Sequence, residues 1–349
     1  MKRFIKRITA FLTVLSFTQA SFLSGAEGLE ESTYATTNQM DSRIAGLLYV
    51  HYGTELNETD VISYGNEIPI YNYTEGVIEE SDILKMYPVY INNILKGYVS
   101  ETIESGCSYF SYSEEFAENI VDLEIEQYNF IYSEDSVYVS SEDGTELISG
   151  DLTAFKDVTI SEKQPVSMNY YSLSSKTNPI NVTSLYNNRS NNITFALDIP
   201  AKHIATSLGL CWAGCVEAVG EYMTNNTALE PSTIASYMGI GSGGAYNSQV
   251  KDALSRFYGI NTENNESIPS FSYLVSKINA GKPVIANLQS TSAGHYVTII
   301  GYGATSSKYY LRLMDTELTD HRTVELVNGT FSCIYNVETF SWYNAIIPV

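Results

Sequence analysis

The chain has 349 residues, of which 44% are hydrophobic and 17% are charged, so it is long and apolar enough to bury a core and to form about two domains. Its 40 acidic residues outnumber its 19 basic residues and give a formal net charge of −21 at pH 7. This composition excludes a disordered chain, and the negative charge repels nucleic acid and anionic lipid. We therefore expect no nucleic-acid partner.

The N-terminus has the pattern of a secretory signal peptide. Basic residues between Lys2 and Arg7 precede an apolar stretch, residues 8–23, and small residues follow it. We predict a signal peptide over residues 1–26, with cleavage after Ala26. Because no second stretch of about 20 apolar residues follows, we expect a secreted, extracellular protein without a membrane anchor.

Charge divides the rest of the chain into two unequal parts. Residues 27–180 carry 6 basic and 28 acidic residues, a net −22, whereas residues 181–349 carry 9 and 12, a net −3. This difference predicts an acidic domain over 27–180 and a second domain over 181–349. The Ser-, Asn- and Thr-rich segment 170–192 has little apolar periodicity and is typical of an exposed connection. Since the two parts do not have opposite charges, we expect any contact between them to be mainly apolar and backbone-mediated.

The acidic part is predicted to be a small, mixed, β-rich domain. Residues 87–99 favour two strands joined by a turn at Asn92 and Asn93. Residues 113–123 favour a short helix that Ser113 caps. Further strands are expected over 130–139 and 145–148, on either side of a turn at 143–144. No catalytic constellation is evident in this part of the chain.

The C-terminal part predicts helices first and strands afterwards. Residues 211–223 repeat apolar side chains at the spacing of a buried helix. Further helices are expected over 231–238, 249–258 and 271–280, and then strands over 283–288, 295–301, 309–314 and 323–327. Helices followed by strands indicate an α+β domain.

Three residues of the C-terminal part could supply nucleophilic chemistry. Cys211 begins its predicted helix, where the positive end of the helix dipole favours the thiolate. His295 opens a strand and could hold or take the proton. Asp315 ends the next strand, so an antiparallel hairpin would bring it level with His295, where it could orient the imidazole. Nucleophile, base and orienting group are what a cysteine nucleophile needs.

Each of these residues also has an ordinary structural interpretation. A helical cysteine is usually a small buried hydrophobic residue, which is how we interpret Cys215. A histidine at a strand start is usually a surface residue, and an aspartate at a strand end usually a turn former. The four cysteines are too few for a disulfide framework, and the four histidines have no metal-ligand spacing. We expect no metal and no cofactor.

The sequence around these residues resembles the papain-like cysteine peptidases. Gly209-Leu-Cys211-Trp212-Ala213 is similar to the Cys-Gly-Ser-Cys-Trp-Ala stretch around the nucleophile of that superfamily. Gly243-Gly244-Ala-Tyr resembles the glycine pair that runs beside the substrate backbone. The segments Ala-Gly-Lys-Pro-Val-Ile-Ala-Asn-Leu at 280–288 and Gly-His-Tyr-Val-Thr-Ile-Ile-Gly-Tyr at 294–302 resemble the strand pair that carries the catalytic histidine in compact bacterial members, such as staphopain, streptopain and the bacteriocin-processing peptidases.

The resemblance covers about residues 195–349 and implies both a fold and a set of site residues. The implied fold has N-terminal helices and an antiparallel strand barrel. The implied catalytic residues are Cys211, His295 and Asp315, the last in the place of the orienting Asn or Asp. The implied substrate-binding residues are Trp212, Gly243 and Gly244.

One position departs from the pattern of the superfamily. A glutamine about six residues before the nucleophile normally donates to the oxyanion hole, and Ala205 stands at that position here. His203, Thr206 or Ser207 could replace it. The segment after Asp315 also lacks the Asn-Ser-Trp of the superfamily.

The sequence therefore predicts a secreted cysteine endopeptidase made as a zymogen. Its partners would be a protein or peptide substrate and its own acidic pro-domain, which would cover the site as an intramolecular inhibitor. Two alternatives stay open: a Cys-dependent amidase or transglutaminase, and a secreted or surface binding protein on a weak or inactive peptidase fold, which Ala205 favours.

Overall fold

The structure is a computed structural model, and its described residues cover parts of both predicted domains. They are 33–53, 55–57, 59–74, 77–122, 127–133, 136–141, 144–150, 168–169, 171–173, 177–180, 193–204, 209–241, 243–264, 266–305, 308–335 and 338–349. The predicted signal peptide and most of the predicted connection lie outside them.

The helices divide between the two halves of the chain. Two helices of the described residues precede residue 181 and four follow it: α1 (Thr33–Tyr52), α2 (Ala117–Asp122), α3 (Cys211–Thr224), α4 (Pro231–Met238), α5 (Asn247–Tyr258) and α6 (Phe271–Asn279). None of these helices has both the length and the apolar character needed to cross a membrane.

The strands of the N-terminal half are short and mostly antiparallel. They are β1 (Ile62–Tyr64), β2 (Ile70–Thr74), β3 (Val77–Glu80), β4 (Leu84–Ile91), β5 (Ile94–Glu104), β6 (Cys107–Ser113), β7 (Gln127–Ser133), β8 (Ser136–Ser141), β9 (Gly144–Gly150), β10 (Tyr171–Ser172) and β11 (Asn178–Ile180). The C-terminal half adds β12 (Ile193–Ala196), β13 (Val284–Gln289), β14 (Gly294–Ala304), β15 (Tyr309–Asp315), β16 (Arg322–Leu326), β17 (Ser332–Tyr335) and β18 (Glu338–Ile346).

Helix and strand together confirm the α+β class. The helix predicted over 231–238 is observed as α4, and the helix predicted from Cys211 is α3. The turn predicted at Asn92 and Asn93 joins β4 to β5, with φ angles of 54° and 64°. Two consecutive positive φ angles match the twist of a two-residue hairpin, which is why asparagine stands at both positions.

Three predictions for the N-terminal half differ from the structure. The single strand expected over 130–139 was wrong, because β7 ends at Ser133 and pairs with β8 as a hairpin. The helix expected over 113–123 is shorter, because β6 continues to Ser113 before α2 begins. The segment expected to be an exposed connection contributes β10 and β11, and Ile180 of β11 is buried.

One large sheet runs through both predicted domains. Its strands follow the order β11-β1-β4-β5-β6-β16-β15-β14-β13-β18-β17, with β12 paired to β14. Strands β6 and β16 join the halves by antiparallel pairing of Thr323 with Tyr112 and of Val324 with Ser111. Strand β17, at the far end of this order, also contacts β5 and β6, so the sheet bends back towards the N-terminal half. A second sheet, in the order β3-β2-β7-β8-β9, lies within the N-terminal half.

Helix α1, which the sequence analysis did not predict, covers the joint between the halves. Its buried apolar residues share a core with β1, β4, β5 and β6 and with Tyr310 of β15. Glycines make this close packing possible: a Cβ at Gly303 of β14 would lie 2.1 Å from Cγ2 of Val50. The contact is mainly apolar and backbone-mediated, as expected, but Arg43 of α1 also lies 3.6 Å from the carboxylate of Glu325 in β16.

Candidate active site

Cys211 is the first residue of α3, at the end of a sharp turn. Gly209, two residues earlier, has φ +58°, a conformation that glycine adopts without the cost that a Cβ imposes. Leu210 is the N-cap residue, and its carbonyl accepts a hydrogen bond from the Gly214 N–H. The sulfur therefore lies at the positive end of the helix dipole, where a thiolate is stabilised. Cys211 is partly exposed, so a substrate can reach it.

Hairpin pairing of β14 with β15 brings the other two predicted residues together. Asp315 pairs with Val297, two residues beyond His295 along β14. This register places Nε2 of His295 2.9 Å from Oδ1 of Asp315. Nδ1 is the ring nitrogen left for the nucleophile, and the Cys211 side chain lies beside the imidazole and interacts with it electrostatically. The structure thus brings Cys211, His295 and Asp315 into one constellation.

Asp315 is completely buried, and four groups compensate its charge. Besides His295, the hydroxyl of Tyr335 donates to Oδ2 at 2.6 Å, and the Glu317 N–H donates to Oδ1 at 3.2 Å. Nη1 of Arg322 lies 3.8 Å from Oδ2. Burial alone would raise the pKa of Asp315, but His295, Arg322 and Tyr335 lower it to about 2. Asp315 is therefore an anion throughout the neutral and mildly acidic range.

His295 is buried between charged neighbours. Burial tends to lower its pKa, but the Cys211 thiolate and the Asp315 carboxylate act more strongly together and hold the pKa well above its ordinary value. A protonated imidazole beside the sulfur is the arrangement that activates a cysteine nucleophile. The carboxylate of Glu317 lies 3.9 Å from Nδ1 of His295 and adds negative potential at that edge of the ring.

Aromatic rings shield the histidine and aspartate pair from water. The Tyr335 ring lies 4.4 Å from the His295 ring, and the Phe340 ring lies 6.4 Å from it. The guanidinium of Arg322 lies over the Tyr335 ring, 5.0 Å from the ring centroid. Sequence reasoning missed Tyr335 and Arg322, because neither stands in a motif and each reaches Asp315 only through the pairing of strands.

Cys215 and Cys333 occupy different environments from Cys211. All four cysteines are free thiols in the structure. Cys215 lies one turn after Cys211 and is completely buried, which raises the pKa of its thiol well above the ordinary value. Cys333 is also buried, and burial raises its pKa as well. These environments keep Cys215 and Cys333 protonated and unreactive.

The glycine pair predicted to bind substrate lies in a loop before α5. Open space surrounds the positions where side chains at Gly243 and Gly244 would project, and Gly244 has φ +76°. The hydroxyl of Tyr296 donates to the carbonyl of Ala245 at 3.0 Å, which fastens the loop to the strand that carries His295. The loop therefore offers unobstructed backbone near the constellation.

The structure corrects the prediction for Trp212. Its side chain has no exposed surface and belongs to the core that α3 forms with β13 and β14. The reason is the helix period: Trp212 shares the inward face of α3 with Cys215 and Val219. We therefore assign Trp212 to packing behind the nucleophile rather than to substrate contact.

The oxyanion position falls outside the described residues. Ala205, Thr206 and Ser207 belong to the segment 205–208, and His203, just before it, is exposed. The backbone N–H of Ile204 donates to the carbonyl of Thr316 at 2.8 Å, so the chain enters this segment from beside Asp315.

Comparison with known families gives a match for the half that carries this constellation. Residues 181–335, somewhat less than half of the chain, match the Peptidase_C39 like family, which is related to the papain-like cysteine peptidases. The papain-like relationship predicted from the sequence is confirmed. The match begins at the residue where the sequence analysis placed the second domain, and it includes Cys211, His295 and Asp315. None of the curated proteins compared with the chain matches it.

The half that carries this match therefore has a cysteine peptidase-type fold. In this half, the first helix presents the cysteine, and the hairpin of β14 and β15 presents the histidine and the aspartate. Such an arrangement can carry out acyl transfer through a thioester.

Proposed function

We propose that this protein is a secreted cysteine endopeptidase in which Cys211 is the nucleophile, His295 the general acid and base, and Asp315 the group that orients His295. The observation that carries the proposal is the buried contact of 2.9 Å between His295 and Asp315, with the partly exposed Cys211 on the other side of the ring. A merely structural histidine needs no such pair of partners.

The reaction proceeds in two acyl-transfer steps. The Cys211 thiolate attacks the carbonyl carbon of the peptide bond, and the C–N bond breaks as Nδ1 of His295 gives its proton to the leaving amine. His295 then takes a proton from water as the water oxygen attacks the thioester. The C–S bond breaks, the acid product leaves, and the proton on His295 restores the ion pair. This sequence uses no cofactor or metal.

We assign a protein or peptide in extended conformation as the substrate. The space beside Gly243 and Gly244 is open because neither residue has a side chain to fill it. This space leaves room for a substrate backbone. Its attachment to Tyr296, the residue after His295, holds that loop in a fixed position relative to the constellation. Backbone recognition of this kind tolerates many substrate sequences.

We propose that the acidic N-terminal half regulates the site within the same chain, as a zymogen pro-domain does. This half contacts the elements behind the constellation. Glu104 of β5 accepts hydrogen bonds from Ser332 at 2.8 Å and from Ser341 at 2.6 Å. Ser332 begins β17, which ends at Tyr335 against His295. Movement of the N-terminal half would therefore shift β17 and change the packing of Tyr335 against His295.

A specific protease site engineered between residues 181 and 192 tests this regulation. Turnover of an unstructured protein is measured before the cut, after the cut, and after the two fragments are separated. A rise in activity after the cut or after separation supports an inhibitory pro-domain. Unchanged activity with fragments that stay together would show instead that the N-terminal half is a permanent scaffold.

Secretion is the remaining part of the proposal, and it depends on residues 1–26. Mass spectrometry of the protein recovered from the culture medium of an expressing bacterium should give an N-terminus at Glu27. Recovery only from the cell interior with Met1 retained would contradict it.

A weak or inactive peptidase-fold binding protein is the second candidate, and Ala205 favours it. A missing oxyanion donor costs about 10²- to 10³-fold in rate when nothing replaces it. If the donor limits catalysis, Ala205→Gln raises the peptidase rate. If His203, Thr206 or Ser207 replaces it, alanine at that position lowers the rate. A product assay with peptide and with free amine acceptors separates a peptidase from an amidase or transglutaminase.

Labelling with iodoacetamide followed by peptide mapping is the direct test of the enzyme proposal. We expect fast labelling of Cys211 and loss of activity in step with it, because only this thiol combines exposure with a histidine partner. Cys211→Ala should lower turnover by roughly 10⁴-fold or more. Cys215→Ala is the matched control, one helical turn away, and should keep most activity. Equal loss in both folded variants would reverse the assignment of the nucleophile.

A further inference from the structure

Three residues that are far apart in the sequence converge where the two halves of the chain meet. His51 lies at the end of α1, Glu114 follows β6, and Asp320 lies in the loop between β15 and β16. Nε2 of His51 is 4.0 Å from Oε1 of Glu114 and 3.9 Å from Oδ2 of Asp320. One nitrogen or oxygen from each residue lies within 4.8 Å of the other two. This cluster plays no part in the proposed peptidase chemistry.

The histidine of this cluster has an unused nitrogen that points at the two carboxylates. His51 is only 3% exposed, and Nδ1 forms a hydrogen bond of 3.2 Å with the hydroxyl of Thr323. Nε2 has no hydrogen-bond partner among the described residues, since both carboxylates lie beyond hydrogen-bonding distance. When Nδ1–H donates to Thr323, Nε2 carries a lone pair that faces Glu114 and Asp320.

We propose that His51, Glu114 and Asp320 bind one divalent transition-metal ion of the Zn²⁺ type. An imidazole nitrogen with two carboxylate oxygens is a ligand set that Zn²⁺ accepts, and water completes the fourth position. Ca²⁺ and Mg²⁺ prefer ligand sets made of oxygen alone, so the buried imidazole favours a transition metal. Binding requires the side chains to move inward from these separations, since Zn²⁺ holds nitrogen and oxygen ligands at about 2 Å.

The surroundings of the cluster resemble those of built metal sites. A ligating histidine usually fixes its other nitrogen by a hydrogen bond, which Thr323 supplies here. The hydroxyl of Tyr52 donates to Oε1 of Glu114 and orients that carboxylate.

The charges that face the cluster favour a cation. The carboxylates are those of Glu55, Glu114 and Asp320, and the cations are Arg312 and Lys96. The carboxylates of Glu114 and Asp320 lie within 4.8 Å of one another, so they repel one another when both are charged. A divalent ion between them relieves that repulsion.

Such an ion would fasten the two halves of the chain together. His51 and Glu114 come from the N-terminal half, whereas Asp320 lies in the C-terminal half five residues after Asp315. Bound metal would stabilise the contact between the halves and hold the loop that follows Asp315, because a ligand that binds only the folded state adds its binding free energy to folding.

Titration of the chelator-treated full chain with ZnCl₂, followed by calorimetry, tests this site. The Cys211→Ala background removes the one partly exposed thiol that has a histidine partner, which could also bind zinc. We expect about one Zn²⁺ per chain and a higher melting temperature with the metal. Glu114→Gln and Asp320→Asn keep the side-chain shapes, and each should weaken binding by at least about 10-fold. Glu55→Gln, a nearby exposed carboxylate that is not a ligand, should bind as the parent chain does.

Cobalt gives an independent readout of the ligands. Co²⁺ bound by His51 and the carboxylates should show visible bands without the strong thiolate-to-metal absorption. Absence of stoichiometric binding by the parent chain would overturn the proposal. Parent-like affinity in either folded variant, or a thiolate band with Co²⁺, would overturn it as well, since the ion would then lie elsewhere.

Discussion

The hydroxyl of Tyr335 donates a hydrogen bond of 2.6 Å to Oδ2 of Asp315, the carboxylate oxygen that His295 does not use. Tyr335 thereby fixes the plane of the carboxylate from one side while His295 binds the other. Its ring also packs at 4.4 Å from the imidazole. Tyr335 is therefore a positioning residue that acts on His295 both through Asp315 and by direct contact.

Tyr335→Phe should lower kcat/KM by roughly 10-fold while KM changes little. The substitution keeps the ring against His295 but removes a hydrogen bond to a buried anion, a bond whose net worth is about 1.5–3 kcal/mol. Steady-state kinetics with a peptide substrate measures the effect. Tyr343→Phe is the matched control, because that tyrosine is 61% exposed on β18. If the Tyr335 variant has wild-type kinetics, Tyr335 does not position the catalytic residues.

His295→Ala should abolish turnover as completely as Cys211→Ala, whereas Asp315→Asn should retain more activity than either. A group that orients the base contributes less than the base itself, and losses within one catalytic unit are not additive. We expect the Asp315 variant to exceed the His295 variant in kcat/KM by roughly 10-fold or more. Full activity without His295 would exclude the proposed chemistry.

Asp315 should make stability depend on pH in the acidic range. Its pKa is lowered from 3.8 to about 2 in the folded protein, so its contribution is complete above about pH 4 and is lost as the pH falls towards 2. The full contribution is about 2 kcal/mol. The free energy of unfolding in urea, measured at about pH 5 and about pH 2.5, should therefore differ between wild type and Asp315→Asn mainly at the higher pH.

Asp252→Asn is the control for this comparison, because Asp252 is exposed on α5. Its difference from wild type should stay constant between the two pH values. A constant difference for Asp315→Asn as well would show that its carboxylate is not held by charged partners in the folded state.

Gly303→Ala should lower the free energy of unfolding by about 1–3 kcal/mol. The new Cβ would lie 2.1 Å from Cγ2 of Val50, so α1 would have to move away from β14. Gly241→Ala, where open space surrounds the glycine, is the control and should unfold like wild type. Urea unfolding measures both. An unaffected Gly303 variant would mean that α1 does not pack on β14 in solution.

The sequence by itself was sufficient for local structure in both halves of the chain. Helical apolar periods, Pro231 at a helix start and the Asn92–Asn93 turn depend on neighbours within a few positions, so α3, α4 and the hairpin of β4 and β5 could be predicted. Cys211, His295 and Asp315 could be proposed as site residues because their order, their positions near the ends of predicted elements and the sequence around them resemble those of the papain-like cysteine peptidases.

Only the tertiary structure could reveal what joins the two halves. The pairing of β6 with β16 connects residues more than 200 positions apart, and no local pattern specifies which strand edges meet. Tyr335 and Arg322 reach Asp315 for the same reason, through strand order rather than spacing.

Burial is the other quantity that the tertiary structure decides. Trp212 looked like a substrate contact beside Cys211, yet its face of α3 turns into the core. His51, Glu114 and Asp320 have no ligand spacing in the sequence and converge only when α1 packs over the joint. The sequence determines the charge and shape of each side chain. The distances between side chains and the exclusion of water, which make a group reactive, are determined by long-range packing.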